Sequence, residues 1–276
     1  MKTFHLMPPL PPGKTGDAGI IGPDTLYWTI ASERMLVLGG LSAVLLQVAH
    51  PMVGAGVADH SHFRDDPLRR LVGTMHAVLV TTFGDHDQAQ QMAQRIAGIH
   101  GPVHGDLNGN AYSAFNPELC LWVYATLVEV ALDTYSLFFR KLSDDERARY
   151  YEETKPFGRL FCVTEAVIPR TYEEFKAYYR RELTNLTVDE RALSIAESIF
   201  KAKLNGIPVS PLGRLVAAGL LPTDRIRAAY GLSWNLTYRI AWRIFVAVVR
   251  FIVRITPPPV RRWRHYGVAI RRVAAA

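Results

Sequence analysis

Histidines crowd one stretch of this chain, and they set the chemistry worth considering. His50 follows Gln47 in an apolar segment. His60 and His62 flank Ser61, His76 lies farther on, and His100 and His104 are four residues apart. In a continuous helix that spacing puts the last two on one face. His100 is set among Ile96, Ile99 and Val103. Burial favours the neutral imidazole, which is the usual nitrogen ligand for iron, zinc or haem. A haem needs one such ligand and a wide apolar slot, for which Phe63, Phe83, Tyr112, Phe115, Trp122 and Tyr124 supply material. From residue types alone, a lone histidine on an apolar helix face is more often a satisfied core residue. A second chemistry open to the same segment is zinc or non-haem iron held by His100 and His104, with Asp106 as third ligand. His50, directly before Pro51, also suits a hydrogen bond to a carbonyl freed where a helix breaks. Arg70 and Thr74, one turn apart, offer a cation and a hydroxyl to one space, although Arg70 beside Arg69 also reads as a solvated residue.

Other chemistries lack their residues. Gly13-Lys14-Thr15 has the ending of a phosphate-binding loop, but Pro8 stands at its leading glycine and no strand precedes it. There is no His-Glu-x-x-His, no Glu-x-x-His and no Gly-x-Ser-x-Gly. Cys120 and Cys162 form no Cys-x-x-Cys and no disulfide framework; they read as buried thiols of a reducing compartment. The proline-rich start contains no secretory pattern, so the expected location is cytoplasmic, with peripheral attachment at the inner membrane face.

The elements that must position these residues read as helices throughout. A capping residue at Ser32 opens an apolar stretch over 33–57 that Pro51 must kink or restart near Ala49. Further helices follow Asp66-Pro67, Asp85 or Asp87 (running to about Gly105), Asn116-Pro117 and the capping box Ser143 to Glu146. Residues 106–113 read as a turn-rich loop, and no strand alternation stands out. The expectation is an all-α chain: an extended N-terminal arm over 1–31, one multi-helix globular domain over 32–234, and a basic amphipathic C-terminal helix and tail over 235–276.

That tail carries a distinct charge. Residues 225–276 contain eleven arginines and no Asp or Glu, so the remainder has a net −4 against the chain's total of +7. Arg239, Arg243, Arg250 and Arg254 fall within roughly 60° on a helical wheel, with large apolar residues over much of the rest. This is the pattern of a helix at an anionic membrane surface, and it is too charged to span a bilayer. Packing of its apolar face on the domain, with the arginines merely solvated, explains the pattern equally well. No nucleic-acid recognition module is present, and no nucleic-acid partner is expected.

Several spaced blocks resemble one family, the one containing the MpaB oxygenase and the rubber oxygenase (latex clearing protein). They run from Gln47 through His50-Pro51, Gly56, Asp59-His60-Ser61-His62-Phe63, Asp66-Pro67-Leu68 and Arg70-x-x-x-Thr74 to Phe83-Gly84. Beyond it come Arg95-x-x-x-x-His100-x-x-Val103-x-Gly105, Tyr112-Ser113-Ala114, Asn116-Pro117-Glu118-Leu119-x-x-Trp122-Val123, and finally Tyr230-Gly231-Leu232 with Trp234. The resemblance implies an all-α oxygenase. In the rubber oxygenase branch it implies haem b with one axial histidine, which maps onto His100, and a distal Arg and Thr, which map onto Arg70 and Thr74. The distal Lys of that branch falls at Gly73, an Arg one turn past the axial histidine falls at His104, and a His after Trp-Val falls at Tyr124. Its basic catalytic carboxylate has no clear match.

Together these readings give a haem-b oxygenase using O2 on an apolar, isoprenoid or lipid-like small molecule. His100 serves as iron ligand, with Arg95 and His104 beside the cofactor. Arg70 and Thr74 orient oxygen or a propionate, and His50, His60 or His104 supplies a hydrogen bond or proton. The rivals are a non-catalytic haem- or lipid-binding protein of the membrane surface and a non-haem metal oxidoreductase.

Overall fold

A computed structural model of the chain describes residues 7–60, 67–204 and 206–275, and the readings at Ser61, His62, Phe63 and Asp66 lie outside them. The described residues are predominantly helical. The first helices are α1 (Leu26–Ala31), α2 (Val37–Val48), α3 (Pro51–His60), α4 (Pro67–Phe83) and α5 (His86–His100). The middle of the chain adds α6 (Pro117–Phe138), α7 (Asp144–Leu160), α8 (Tyr172–Asn185) and α9 (Glu190–Lys201). It closes with α10 (Leu212–Leu220), α11 (Asp224–Ala229), α12 (Leu236–Ile255), α13 (Pro258–Arg261) and α14 (Arg264–Ala274). Start signals are used as the sequence suggests. The Asn116 side chain caps α6, and Ser143 with Glu146 forms a reciprocal capping box on α7.

Several details differ from the sequence reading. Ser32 ends α1 instead of starting a helix, and its hydroxyl donates to the Thr29 carbonyl. Leu26–Ala31 is helical, with Trp28 and Ile30 wholly buried, so extended chain does not continue to residue 31. The helix through His100 stops there, because Gly101-Pro102 cannot continue it. The region read as a loop is a hairpin of β1 (His104–Leu107) and β2 (Asn110–Ser113), with His104 opposite Ser113. Asn108 and Gly109 both have positive φ, the turn that matches strand twist. A second short hairpin pairs β3 (Lys203–Leu204) with β4 (Ile207–Pro208).

Helix α2 is the buried centre, packed on α6 along most of its length and also on α3, α9 and α10. The approach to α6 depends on Gly39, where a Cβ would stand 2.5 Å from Thr134 Oγ1 and 2.7 Å from Val130 Cγ1. Before Pro51 the chain turns by 102° between the segment ending at Val48 and α3. The C-terminus returns to the body. Glu33, almost wholly buried, accepts from Arg261 Nε at 3.0 Å on both oxygens, and Arg272 donates to the carbonyls of Asp17 and Phe83.

Glu129 is a buried carboxyl on α6. Desolvation, reinforced by Asp133, pushes it up to about 7, while a hydrogen bond from Tyr172 and the charge of Arg147 partly offset the shift. A carboxyl raised in the folded state contributes stability that is full below its unfolded value and lost as pH rises through the folded one. Glu129→Gln is therefore expected to gain about 1–3 kcal/mol on wild type between pH 4.5 and 8, read as the change in urea-unfolding free energy. An unchanged difference across that window would refute it. At the helix crossing, Gly39→Val is expected to cost about 1–3 kcal/mol through overpacking, measured in the same titration.

Candidate active site

Helices α4 and α5 form an antiparallel pair joined at Gly84-Asp85, where Asp85 caps α5 in a reciprocal box with Gln88. This hairpin brings the start of α4 to the end of α5, so Arg70 and His100 face each other across 30 residues of sequence. His100 is half-buried. Burial first, and then the Arg70 guanidinium, hold its proton affinity below the ordinary histidine value. The imidazole is accordingly neutral at neutral pH, with a lone pair available to a metal.

One turn beyond Arg70, Thr74 lies at the rim of an apolar cavity of about 140 Å³. Gly40, Ala43, Val44 and Gln47 of α2 form one wall. Leu71, Met75 and Val78 of α4 form another, and Leu127, Val128 and Ala131 of α6 close the far side with Tyr150 and Phe157 of α7. The polar groups around it are mostly matched with each other. Tyr124 pairs with Thr154 at 2.6 Å, Tyr27 with Thr82 at 2.9 Å, and Gln47 Nε2 donates to Thr126 at 2.9 Å. What they leave facing the space is hydrocarbon, as a site for an apolar molecule requires.

The remaining histidines fall elsewhere. His104 is on β1 and exposed, so the spacing of four from His100 is not a helical face. His60 is exposed, its Nε2 lies 2.9 Å from the His104 carbonyl, and its ring is 6.4 Å from that of His104. Beside them the Tyr112 hydroxyl donates to Asp59 at 2.8 Å, a half-buried pairing that sequence spacing gave no reason to expect across 53 positions. His50 is half-buried at the α2–α3 break and is not part of the cavity wall; burial lowers its proton affinity, and Glu182 partly restores it. Arg95 is roughly 140° round α5 from His100, and its charge acts on His76 instead. His76 in turn meets His265 of α14, rings 6.0 Å apart, a contact the sequence reading missed because the two are distant in the chain. Among the described residues no group of three or more His, Cys, Asp or Glu is placed to hold a metal ion, so the set His100, His104 and Asp106 is not assembled. The cysteines, expected to be buried, are both free and half-buried; desolvation, and then the nearby Cys162 thiol, push the Cys120 thiol up to about 12.

With this geometry in hand, comparison with known proteins is informative. Residues 27–251 match the family described as ER-bound oxygenase mpaB/B'/Rubber oxygenase, catalytic domain. The chain is also similar to two uncharacterised mycobacterial proteins, one from Mycobacterium bovis and one from Mycobacterium tuberculosis. Each is 25% identical over 223 residues, covering 78% of this chain and 87% of the relative. No solved structure matches. The chain belongs to the MpaB/rubber oxygenase catalytic-domain family, and it is an oxygenase.

The cavity has room beside Gly40, where, among the described residues, a Cβ would meet only Leu71 Cδ1, at 3.6 Å. Gly40→Phe is expected to fill the space while keeping or raising the melting temperature, since glycine is a poor helix former. The thermal stabilisation given to wild type by a small apolar ligand such as decanol should then disappear. Retained stabilisation would place the ligand elsewhere.

Proposed function

We propose that this oxygenase uses haem b, held through His100, to oxidise an apolar molecule seated in the cavity behind Thr74. The observation that carries the reading is the neutral, half-buried imidazole of His100 opposed by Arg70, one helical turn from the cavity rim. The residues fit the group. His100 offers a nitrogen donor, Arg70 carries a guanidinium suited to a carboxylate, and among the described residues a Cβ at Gly73 or Gly98 would meet nothing within 4 Å. When bound, haem supplies the iron centre at which O2 is held and activated.

The chain's own residues have narrower tasks. His100 stays unprotonated to lower pH than a free imidazole because burial and Arg70 both oppose its charge. Arg70 orients an anionic group at the entrance, either a propionate or bound oxygen, by charge-assisted hydrogen bonding. Thr74 places a hydroxyl where the polar entrance meets the hydrocarbon wall. Leu71, Met75 and Val78 exclude water and orient substrate by shape alone, which suits an isoprenoid or lipid-like chain. His50 and His60 lie outside the cavity wall, and the His104 carbonyl lies against His60 Nε2.

An absorption spectrum of the purified protein, before and after reduction and with a pyridine haemochrome assay, tests this. Near-stoichiometric b-type haem is expected, and His100→Ala should lose or shift the Soret band while keeping the helical circular dichroism of wild type. A normally ligated haem in His100→Ala, or no haem uptake on reconstitution, would overturn the proposal.

A further inference from the structure

Helix α12 carries two apolar faces, and only one of them is covered. Val246, Val249 and Val253 are buried and pack with Phe138 of α6. On the opposite side, centred roughly 170° away at 100° per residue, lie Ile240, Ile244, Val248, Phe251 and Ile255, all exposed. Ile244, Phe251 and Ile255 retain 60%, 62% and 60% of their surface, far more than large apolar side chains keep when they pack on their own domain. The stripe is continuous along the 20-residue helix, which gives it a length of about 30 Å.

One edge of this stripe is cationic. Arg239, Arg243, Arg250 and Arg254 line it, all exposed. Arg250 Nε donates to the Leu137 carbonyl, whereas Arg239, Arg243 and Arg254 have no ion pair or hydrogen bond among the described residues. No acidic side chain follows Asp224 anywhere in the chain. Charge complementarity therefore selects the occupant. Four guanidiniums beside an uncovered hydrocarbon row match an anionic surface with a hydrocarbon interior, and they would repel the same row of a second copy. No single helix among the described residues is long and apolar enough to cross a membrane.

We infer that α12 is a docking helix for anionic bilayer surfaces, lying in the interfacial plane with Ile244, Phe251 and Ile255 among the acyl chains and the arginine row at the phosphates. The attachment is independent of the cofactor reading, since no residue of α12 lines the cavity or faces His100.

Flotation with vesicles of phosphatidylcholine, with and without phosphatidylglycerol, tests it on the full chain. Wild type should float with the phosphatidylglycerol vesicles and stay behind with pure phosphatidylcholine. Ile244→Asp/Phe251→Asp should abolish flotation, and Arg239→Ser/Arg243→Ser/Arg254→Ser should weaken it on the order of a hundredfold. Phe251→Trp keeps the stripe apolar, and its fluorescence should be quenched by brominated acyl chains. Equal partition to both vesicle types, flotation that survives Ile244→Asp/Phe251→Asp, or an unquenched Phe251→Trp would overturn the inference. So would a concentration-dependent dimer that Phe251→Asp dissolves in a protein that binds no vesicles, because the stripe would then be a self-interface.

Discussion

The structure depends on how the broken end of α2 is satisfied. A proline at residue 51 forces the helix to stop, and stopping leaves carbonyls with no partner in the middle of the protein. Distant segments supply donors there. Trp122 Nε1 of α6 donates to the Leu46 carbonyl at 3.2 Å and the Thr187 amide to the Ala49 carbonyl at 2.9 Å, while the Tyr230 hydroxyl adds a bond at 2.6 Å to the Leu45 carbonyl, which also accepts from the Ala49 amide. An unpaired buried carbonyl costs about 1–3 kcal/mol, so these contacts fix where α6, the α8–α9 link and the segment after α11 can lie. Gly54 completes the bend, since a Cβ there would stand 2.6 Å from the Val48 carbonyl. Blocks of the family pattern that are scattered over the chain, His50-Pro51, Trp122 and Tyr230-Gly231, thus meet for a structural reason.

Once α2 is fixed, the cavity follows from what lies on its flank. Gly39 admits α6 to close contact, while Gly40, the next residue round the helix, meets only the tip of Leu71 among the described residues. The same helix therefore packs tightly on one side and leaves space on the other. The hydroxyls of Tyr27, Tyr124 and Thr154 would make that space polar if they were unpaired. The Tyr27–Thr82 and Tyr124–Thr154 hydrogen bonds remove them from use and leave a hydrocarbon wall. Thr74 supplies a hydroxyl at the cavity rim, one helical turn from Arg70.

The C-terminal region divides its arginines between two tasks. Arg261, Arg262 and Arg272 are structural: the first two pair with the buried Glu33, and the third holds the carbonyls of Asp17 and Phe83. These pairings explain why the tail, basic as it is, does not float free of the body. The arginines of α12 are exposed beside an uncovered apolar row. A guanidinium thus has different meaning according to what it faces.

Composition and periodicity determined the all-helical class, the capping box at Ser143, the helix start at Asn116-Pro117, the break before Pro51 and the extent of α12, because each follows from interactions within a few residues. The sequence also marked His100, Arg70 and Thr74 through a spaced family pattern. It misjudged His104, since a spacing of four means one face only if the helix continues, and Gly101-Pro102 ends it. It could not locate the cavity, the Asp59–Tyr112 and His76–His265 contacts, or which apolar face of α12 stays open. Those depend on which helices come together, and helix pairing is set by close approach at positions such as Gly39 and by carbonyls that need distant donors. Neither leaves a periodic trace in the chain, so the tertiary structure alone decided them.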